Sequence, residues 1–243
     1  PRAQSSYPAT MFAMAGAVTG LAPSQILFSS PPPASLFTRL RPHLHRQLSI
    51  LPTSPWFQQP AIDSLVLQGI ATRRLRGARA QTTAAIQFLS DARRRNERHL
   101  MWLHYLEPHA PYQRHRGFDL GTSVAQRYRS ELAFLDRELG RLFRFLRRSG
   151  AYEDSLVVLF ADHGQALGER EYIGHHVFLN GWIMDIPMAW RGPGVTPGVV
   201  QTPVQVTDVA PTVLRFLGQP VPGRLAGRSL LAGDPPADRA LIA

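Results

Sequence analysis

The sequence predicts an α/β fold, with a mostly parallel central sheet and helices on both faces. Two continuous apolar runs, "HLMWLHYL" (99–106) and "SLVVLFA" (155–161), have the length and composition of buried strands. A third strand is expected in "DIPMAWRGPG", and segments of helical period lie between and around these runs, the pattern of a parallel sheet. With 243 residues, 44% of them hydrophobic, the chain is long enough for one substantial core. It contains no apolar run of membrane-spanning length, no signal peptide and no internal repeat.

Each element has its own local reason. "SSYPATMFAMAGAVTGL" reads as a turn followed by a helix that Gly20 closes. Residues 22–60 are rich in Pro and Ser and are expected to be an irregular connection, of the kind that often lies near a site. A helix is expected over 72–95, with Ala, Ile, Phe and Leu on one side and Arg on the other. The loop "EPHAPY" follows the first apolar run. Val124, Tyr128, Leu132, Leu135, Leu139, Leu142 and Leu146 recur in steps of three and four, which makes one apolar helix stripe. Arg137, Arg141, Arg144 and Arg148 lie off it, and Gly150 suits the position after the helix. Asp208 is placed to cap a short helix, "VAPTVLRFLG", that Gly218 ends.

Charge and composition narrow the chemistry. The net charge is +10, and all 27 basic residues are Arg. The Arg clusters at 73–79, 93–98 and 141–148 read as solvated helix faces; the sharper reading is a surface attracting anions. No aromatic-interleaved basic motif or zinc-finger spacing points to nucleic acid, so no nucleic-acid partner is expected. Cysteine is absent, which excludes disulfides, thiolate metal sites and thiol nucleophiles.

The second apolar run delivers Asp162 and His163 at its end, and the first delivers His109 just beyond its own. In open α/β sheets, ligands bind beyond the carboxyl ends of strands. A carboxylate with a neutral imidazole is a good ligand pair for Zn²⁺ or Mn²⁺, and Gly164 lets the backbone turn closely beside them. His175 and His176 are then placed to contact an anionic oxygen or to protonate a leaving group.

These residues resemble the sulfatases of the alkaline phosphatase superfamily. "VVLFADHGQALGE" is similar to that family's D-H-G-E-x-L-G-E segment, and "GHH" to the G-H element after it. "HYLEPHAPY" resembles its D-P-H-x-P-Y loop, and "YRSELAFLDRELGRLFRFL" the helix before the D-H-G strand. "IPMAWRGPGV" and "VTDVAPTVLRFLGQPVPGRLAGRSLL" are similar to its two later segments. The likeness runs in order from about Ala3 to Leu231, weakest over 22–95.

The resemblance implies one sulfatase-like catalytic domain over residues 1–243. Members of the family open with a strand carrying one or two metal-binding carboxylates. This sequence starts after that point, so the expectation is a fragment with its first strand missing, or a site with half its metal shell. The Cys or Ser of C-x-P-S-R, oxidised to formylglycine in classical sulfatases, has no counterpart, and neither do their lysines, so no formylglycine is expected. Counting back from Thr19-Gly20, Thr10 falls at the nucleophile position of relatives such as phosphoethanolamine transferases. Ser6, two before Pro8, is the rival, and a plain N-cap role for Thr10 stands beside both.

The implied activity is metal-dependent attack on a sulfate or phosphate ester. Asp162, His163 and Thr10 would hold a divalent ion (Ca²⁺, Zn²⁺ or Mn²⁺), and Thr10, His109 and His175 would be catalytic, with Ser6 and His176 as further candidates. The substrate would be a sulfated or phosphorylated glycan, lipid or small molecule. Head-group transfer of the phosphoethanolamine or phosphoglycerol type is an alternative, as is an inactive domain that binds anionic glycans or lipids. The resemblance favours a periplasmic or membrane-anchored extracytoplasmic place, with attachment through an N-terminal segment outside this sequence.

Overall fold

The computed structural model of the chain describes residues 3–176, 178–232 and 241. A two-residue strand, β1 (Ala3–Gln4), leads into helix α1 (Thr10–Thr19). Short helices α2 (Pro23–Leu27) and α3 (Leu36–Leu40) precede strand β2 (Arg46–Pro52). Helix α4 (Pro60–Ile62), strand β3 (Thr72–Leu75), the long helix α5 (Ala78–Arg94) and strand β4 (His99–Leu103) come next. Then follow α6 (Val124–Arg148), α7 (Ala151–Asp154) and β5 (Val157–Phe160). The last part holds β6 (Ala166–Leu167), β7 (Ile173–Gly174), α8 (Gly181–Met184), β8 (Asp185–Ile186), β9 (Met188–Arg191), β10 (Val204–Gln205) and α9 (Val209–Phe216).

Strands β3, β2 and β4 form a parallel sheet in that order, with Ser49 opposite both Thr72 and Trp102. Strand β5 pairs antiparallel with β9, and β1 sits between β10 and β8. Side chains on β2 alternate between two helical layers, as a strand buried on both faces requires. Leu48 and Ile50 pack with Ala85, Phe88 and Leu89 of α5 and Leu142 and Leu146 of α6. Leu51 packs on the other side, with Met14 and Val18 of α1 and Phe37 of α3.

Three local expectations are corrected. Residues 22–60 are not an irregular connection, because they contain α2, α3 and β2, the middle strand of the parallel sheet. Polar Gln47 and Ser49 and the terminal Pro52 disguise that strand's apolar face. The helix expected over 72–95 starts only at Ala78, after Gly77 at φ 78°; Thr72–Leu75 is an edge strand paired with β2, in which Arg73 is exposed and Arg74 donates to the Phe57 carbonyl at 3.1 Å and pairs with Asp63 at 3.2 Å. Asp208 makes no side-chain cap on α9. Its carboxylate instead accepts the backbone N–H groups of Gln205 and Arg228, both at 2.8 Å, and so ties the C-terminal segment to β10.

Helix α6 begins as its sequence suggests, with Ser123 and Gln126 in a reciprocal capping box, and Gly150 holds φ 75° at its end. Its apolar stripe behaves differently from expectation. Leu142 and Leu146 are buried, but Leu132 is 40% exposed. Tyr128, Leu132, Leu135 and Leu139 border a cavity of about 1420 Å³ that separates β4 from β5. Among the described residues, no backbone hydrogen bond joins those two strands. No helix of the described residues is long and apolar enough to cross a membrane.

Candidate active site

The strand ends and the start of α1 meet at one mouth of this cavity. Thr10 is the first residue of α1; the cap position belongs to Ala9, so Thr10 is not the N-cap. Its hydroxyl hydrogen-bonds the Asp162 carboxylate and lies 3.2 Å from His163 Nε2. Ser6 lies elsewhere. It is fully buried, with its Oγ so close to Gly16 of α1 that a Cβ there would meet it at 2.7 Å. Ser6 therefore belongs to the packing beneath α1, outside the cleft.

Asp162 follows β5 by two residues and is held by its surroundings. Its backbone carbonyl accepts a short hydrogen bond from the buried Ser5 hydroxyl, and its Oδ1 accepts the His163 backbone N–H at 3.0 Å. Burial alone would raise the Asp162 carboxyl; the His163 and His104 imidazoles, with the hydrogen bonds from Thr10 and from the His163 backbone, outweigh it and hold the group below the usual carboxylate range. Gly164 is required by a close approach on its other side. A Cβ there would sit 2.2 Å from the Trp182 carbonyl oxygen, and the Gly164 N–H donates to the Ile183 carbonyl at 2.6 Å. The glycine thus seats the loop on α8.

Four imidazoles share one anchoring scheme. Nδ1 of His163 faces the Gly164 carbonyl at 2.8 Å, that of His109 the Ala110 carbonyl at 2.7 Å, that of His175 the Pro8 carbonyl at 3.2 Å, and that of His176 the His175 carbonyl at 2.9 Å. A carbonyl only accepts, so each Nδ1 carries the hydrogen and each neutral ring keeps its lone pair on Nε2. His163, His175 and His176 stack in a row with centroids 4.0 and 3.7 Å apart. His109 Nε2 lies 3.4 Å from His175 Nε2. Two lone pairs at that distance repel, so the gap between the two rings suits a donor or an acidic group placed between them. Burial, and then His163 and His176, push His175 down to about 4.

Two residues that sequence reasoning passed over complete the arrangement. His104 is the first residue after β4 and lies beside Asp162, its ring stacked at an angle on Phe57 at 4.8 Å; burial pushes its imidazole down. It was hidden inside what read as one uninterrupted apolar run. Glu131 on α6 is 2% exposed and accepts the backbone N–H groups of His109 at 3.1 Å and Gln113 at 2.7 Å. It therefore fixes the loop that presents His109. Tyr112 in that loop is buried edge-on against Tyr128, as an apolar anchor should be. Trp56 and Trp182, both largely exposed, stand at the rim of the cleft.

The donor set suits part of a metal shell. Asp162 Oδ2 is buried, lacks a hydrogen-bond partner and sits 3.5 Å from His163 Nε2, with the Thr10 hydroxyl beside both. Among the described residues, no group of three or more His, Asp and Glu side chains stands ready to cage an ion. Asp162 and His163 are thus a two-residue donor set, opposite a hydroxyl.

Comparison with known proteins bears on the family and the fold. The stretches that carry the likeness to individual relatives run from 100 to 152 residues. Choline-sulfatase from Rhizobium meliloti (strain 1021) is 32% identical over 108 residues, which is 43% of this chain and 21% of that protein. The chain thus spans about a fifth of that relative's length. The solved lipoteichoic acid synthase LtaP from Listeria monocytogenes superposes with a TM-score of 0.78 at 15% identity, over 95% of this chain and 65% of that one. BT4656, solved with D-glucosamine-2-N,6-O-disulfate, superposes with a TM-score of 0.76 at 15% identity, over 98% of this chain and 74% of that one. These likenesses establish the alkaline phosphatase/sulfatase-like fold. The model of the family described as Sulfatase matches residues 54–219, which take in His104, His109, Asp162, His163, His175 and His176. The chain is a member of the sulfatase family, whose enzymes include ester hydrolases and transferases.

Proposed function

We propose that the chain is the catalytic part of a sulfatase-family hydrolase that cleaves sulfate or phosphate monoesters through Thr10. The observation that carries this reading is the Thr10 hydroxyl on the Asp162–His163 pair, 3.2 Å from an Nε2 whose lone pair the Gly164 carbonyl directs toward it. Asp162 and His163 would hold a divalent ion, which when bound neutralises ester oxygens and lowers the pKa of a neighbouring hydroxyl. The chain's own residues supply the rest. Thr10 gives up its proton to water in the cleft, and its Oγ1 forms a bond to the sulfur or phosphorus. The ester bond to the alcohol breaks, and the alcohol oxygen takes a proton from water admitted beside the His109 and His175 rings, which line that side of the cleft. Water then releases the group from Thr10; an acceptor alcohol in its place would make the same site a transferase. Exposed Trp56 and Trp182 at the rim suit the flat face of a sugar ring, and the family resemblance favours a place outside the cytoplasm.

The test uses the whole gene product and an aryl sulfate and an aryl phosphate. Thr10→Ala should abolish turnover, Thr10→Ser should retain part of it, and Ser6→Ala should leave most of it. Quenched reactions should show one sulfo or phospho group on the peptide containing Thr10. A dead Ser6→Ala with an active Thr10→Ala would overturn the assignment. Full activity in both would make water the attacker.

A further inference from the structure

We propose that His115 is a positioning residue for His109: its ring nitrogen takes the acid hydrogen of Glu131 and so holds that carboxyl where its two oxygens fix the His109 loop. The bearing of this on catalysis rests on the reading above, in which His109 faces the ester.

The loop itself sets the problem. Between the end of β4 at Leu103 and the start of α6 at Val124 there is no helix or strand. His109 therefore keeps a fixed place through anchors outside the loop, and these come from α6. Glu131 Oε2 accepts the His109 N–H at 3.1 Å, and Oε1 accepts the Gln113 N–H at 2.7 Å. Further along, Ser130 Oγ accepts the Leu120 N–H at 2.9 Å. Among these contacts, the one from Glu131 reaches His109 itself. The aim of one carboxyl thus decides where that imidazole stands.

The carboxyl in turn needs a partner for its own hydrogen. Burial, with Glu107 nearby, pushes Glu131 up to about 7 against the pull of the two N–H groups, so below that pH it is a neutral acid. Both backbone contacts are donors and cannot take the acid hydrogen. His115 Nε2 can. It is buried, lacks a hydrogen-bond partner and lies 3.6 Å from Glu131 Oε1. That separation exceeds a hydrogen bond, and a small turn of the carboxyl closes it to an O–H···N contact. An unpaired buried nitrogen and an unpaired buried acid hydrogen are each costly alone, and together they satisfy one another. Oε1 keeps a lone pair for the Gln113 N–H, and Oε2, as the carbonyl oxygen, stays aimed at His109.

The ring is a fixed partner. His115 lies flat on Phe134, with centroids 3.7 Å apart and planes 4° apart. Phe134 stands three residues after Glu131, so α6 carries both the carboxyl and the platform of the ring that orients it. Burial pushes the His115 imidazole down, Glu107 pulls the other way, and Arg137 and Arg79 push it down again. That setting favours a neutral ring with Nε2 as acceptor. Tyr112, also beside Glu131, is pushed up to about 12, chiefly by burial, and stays neutral.

Spectroscopy and amide exchange on the whole gene product test this. At about pH 6.5, nitrogen NMR should show His115 Nε2 without a hydrogen, and carbon NMR should show Glu131 mostly protonated. A hydrogen on that nitrogen, or an ionised Glu131, overturns the proposal. His115→Phe keeps the stack and loses the acceptor. The His109 and Gln113 amides should then exchange about 10-fold faster, while the Leu120 amide, tied to Ser130, stays as it was. His115→Gln restores an acceptor oxygen and should bring both rates back to within about 3-fold of the parent. Unchanged rates in His115→Phe overturn the proposal. So does equal acceleration at Leu120, the mark of general loosening, and so does equal damage from Gln. With an aryl ester, His115→Phe should lower kcat about 10-fold, leave KM within about 2-fold, and be rescued by Gln. The spectra and the exchange rates need no turnover. If they move as expected while kcat does not, the positioning stands and the role given to His109 in the Thr10 mechanism fails.

Discussion

The surroundings of β2 and those of β5 are made of similar residues and end up in different states. Around β2, Met14, Phe37, Ile50, Leu51 and Leu67 are all at most 1% exposed. Around β5 and the middle of α6, Leu132 and Leu159 are 40% and 41% exposed. Both sets sit on well-formed strands or on a helix with a clean apolar stripe. What differs is the number of neighbouring layers. Strand β2 has a strand on each edge and helices on each face, whereas among the described residues β5 has one strand neighbour. Hydrophobic patterning thus specifies which surface wants burial, and topology decides whether it is met.

The contrast can be sharpened first where it is steepest. Leu51→Ala in the packed half should cost about 2–5 kcal/mol of unfolding free energy, measured by urea titration. Gly164→Ala can break the contrast, since it lies in the open half yet touches backbone. The added methyl would meet the Trp182 carbonyl, so a loss of about 1–3 kcal/mol, with weakened turnover, is expected. A neutral result would mean that the α8 backbone yields freely.

Glu131 sits where the two halves join, and it should make stability depend on pH. Burial pushes its carboxyl up to about 7, against the pull of the Gln113 and His109 N–H groups. In the unfolded chain the group ionises near its ordinary 4.5. Between those values the folded chain keeps a proton the unfolded chain has lost, so stability falls as pH rises from 4.5 to 7. Urea midpoints should drop across that window by an amount equivalent to about 1–3 kcal/mol, and Glu131→Gln should flatten the slope. The smallest effect belongs to the open half itself. Leu132→Ala should change the stability of residues 1–243 by less than about 0.5 kcal/mol, as a surface substitution does. A loss comparable to that of Leu51→Ala would show that the two sides are equally packed.

Much of this was legible in the sequence where local chemistry and global fold agree. The α1 helix with Gly20, the α6 helix with Gly150, and the Asp162–His163 strand end all announce themselves by period and punctuation. Strand β2 did not, because its burial comes from helices far along the chain that no window around Ser49 and Pro52 contains. Strand β3 was masked by Arg73 and Arg74, which an edge strand accepts and a central one would not. At the site, the histidines stood out by type and spacing. Glu131 and His104 did not, since Glu131 acts on backbone N–H groups 18 and 22 residues away and His104 hid within an apolar run. Thr10 could be set apart from Ser6 only in three dimensions, where Ser6 proves to be spent on packing against Gly16.

The Pro8 carbonyl has a consequence of its own. It receives the His175 ring Nδ1–H at 3.2 Å and the His176 backbone N–H at 3.1 Å, two residues before Thr10. The Thr10 hydroxyl and the His175 imidazole, which the proposed mechanism sets on opposite sides of the ester, are thereby referenced to one peptide oxygen. If the loop drifts, both move together and their spacing survives. A main-chain oxygen is present whatever side chain stands at that position, so this alignment is insulated from point mutation. Residues around the entrance of α1 can therefore change without altering the spacing between Thr10 and His175 on which the proposed mechanism relies.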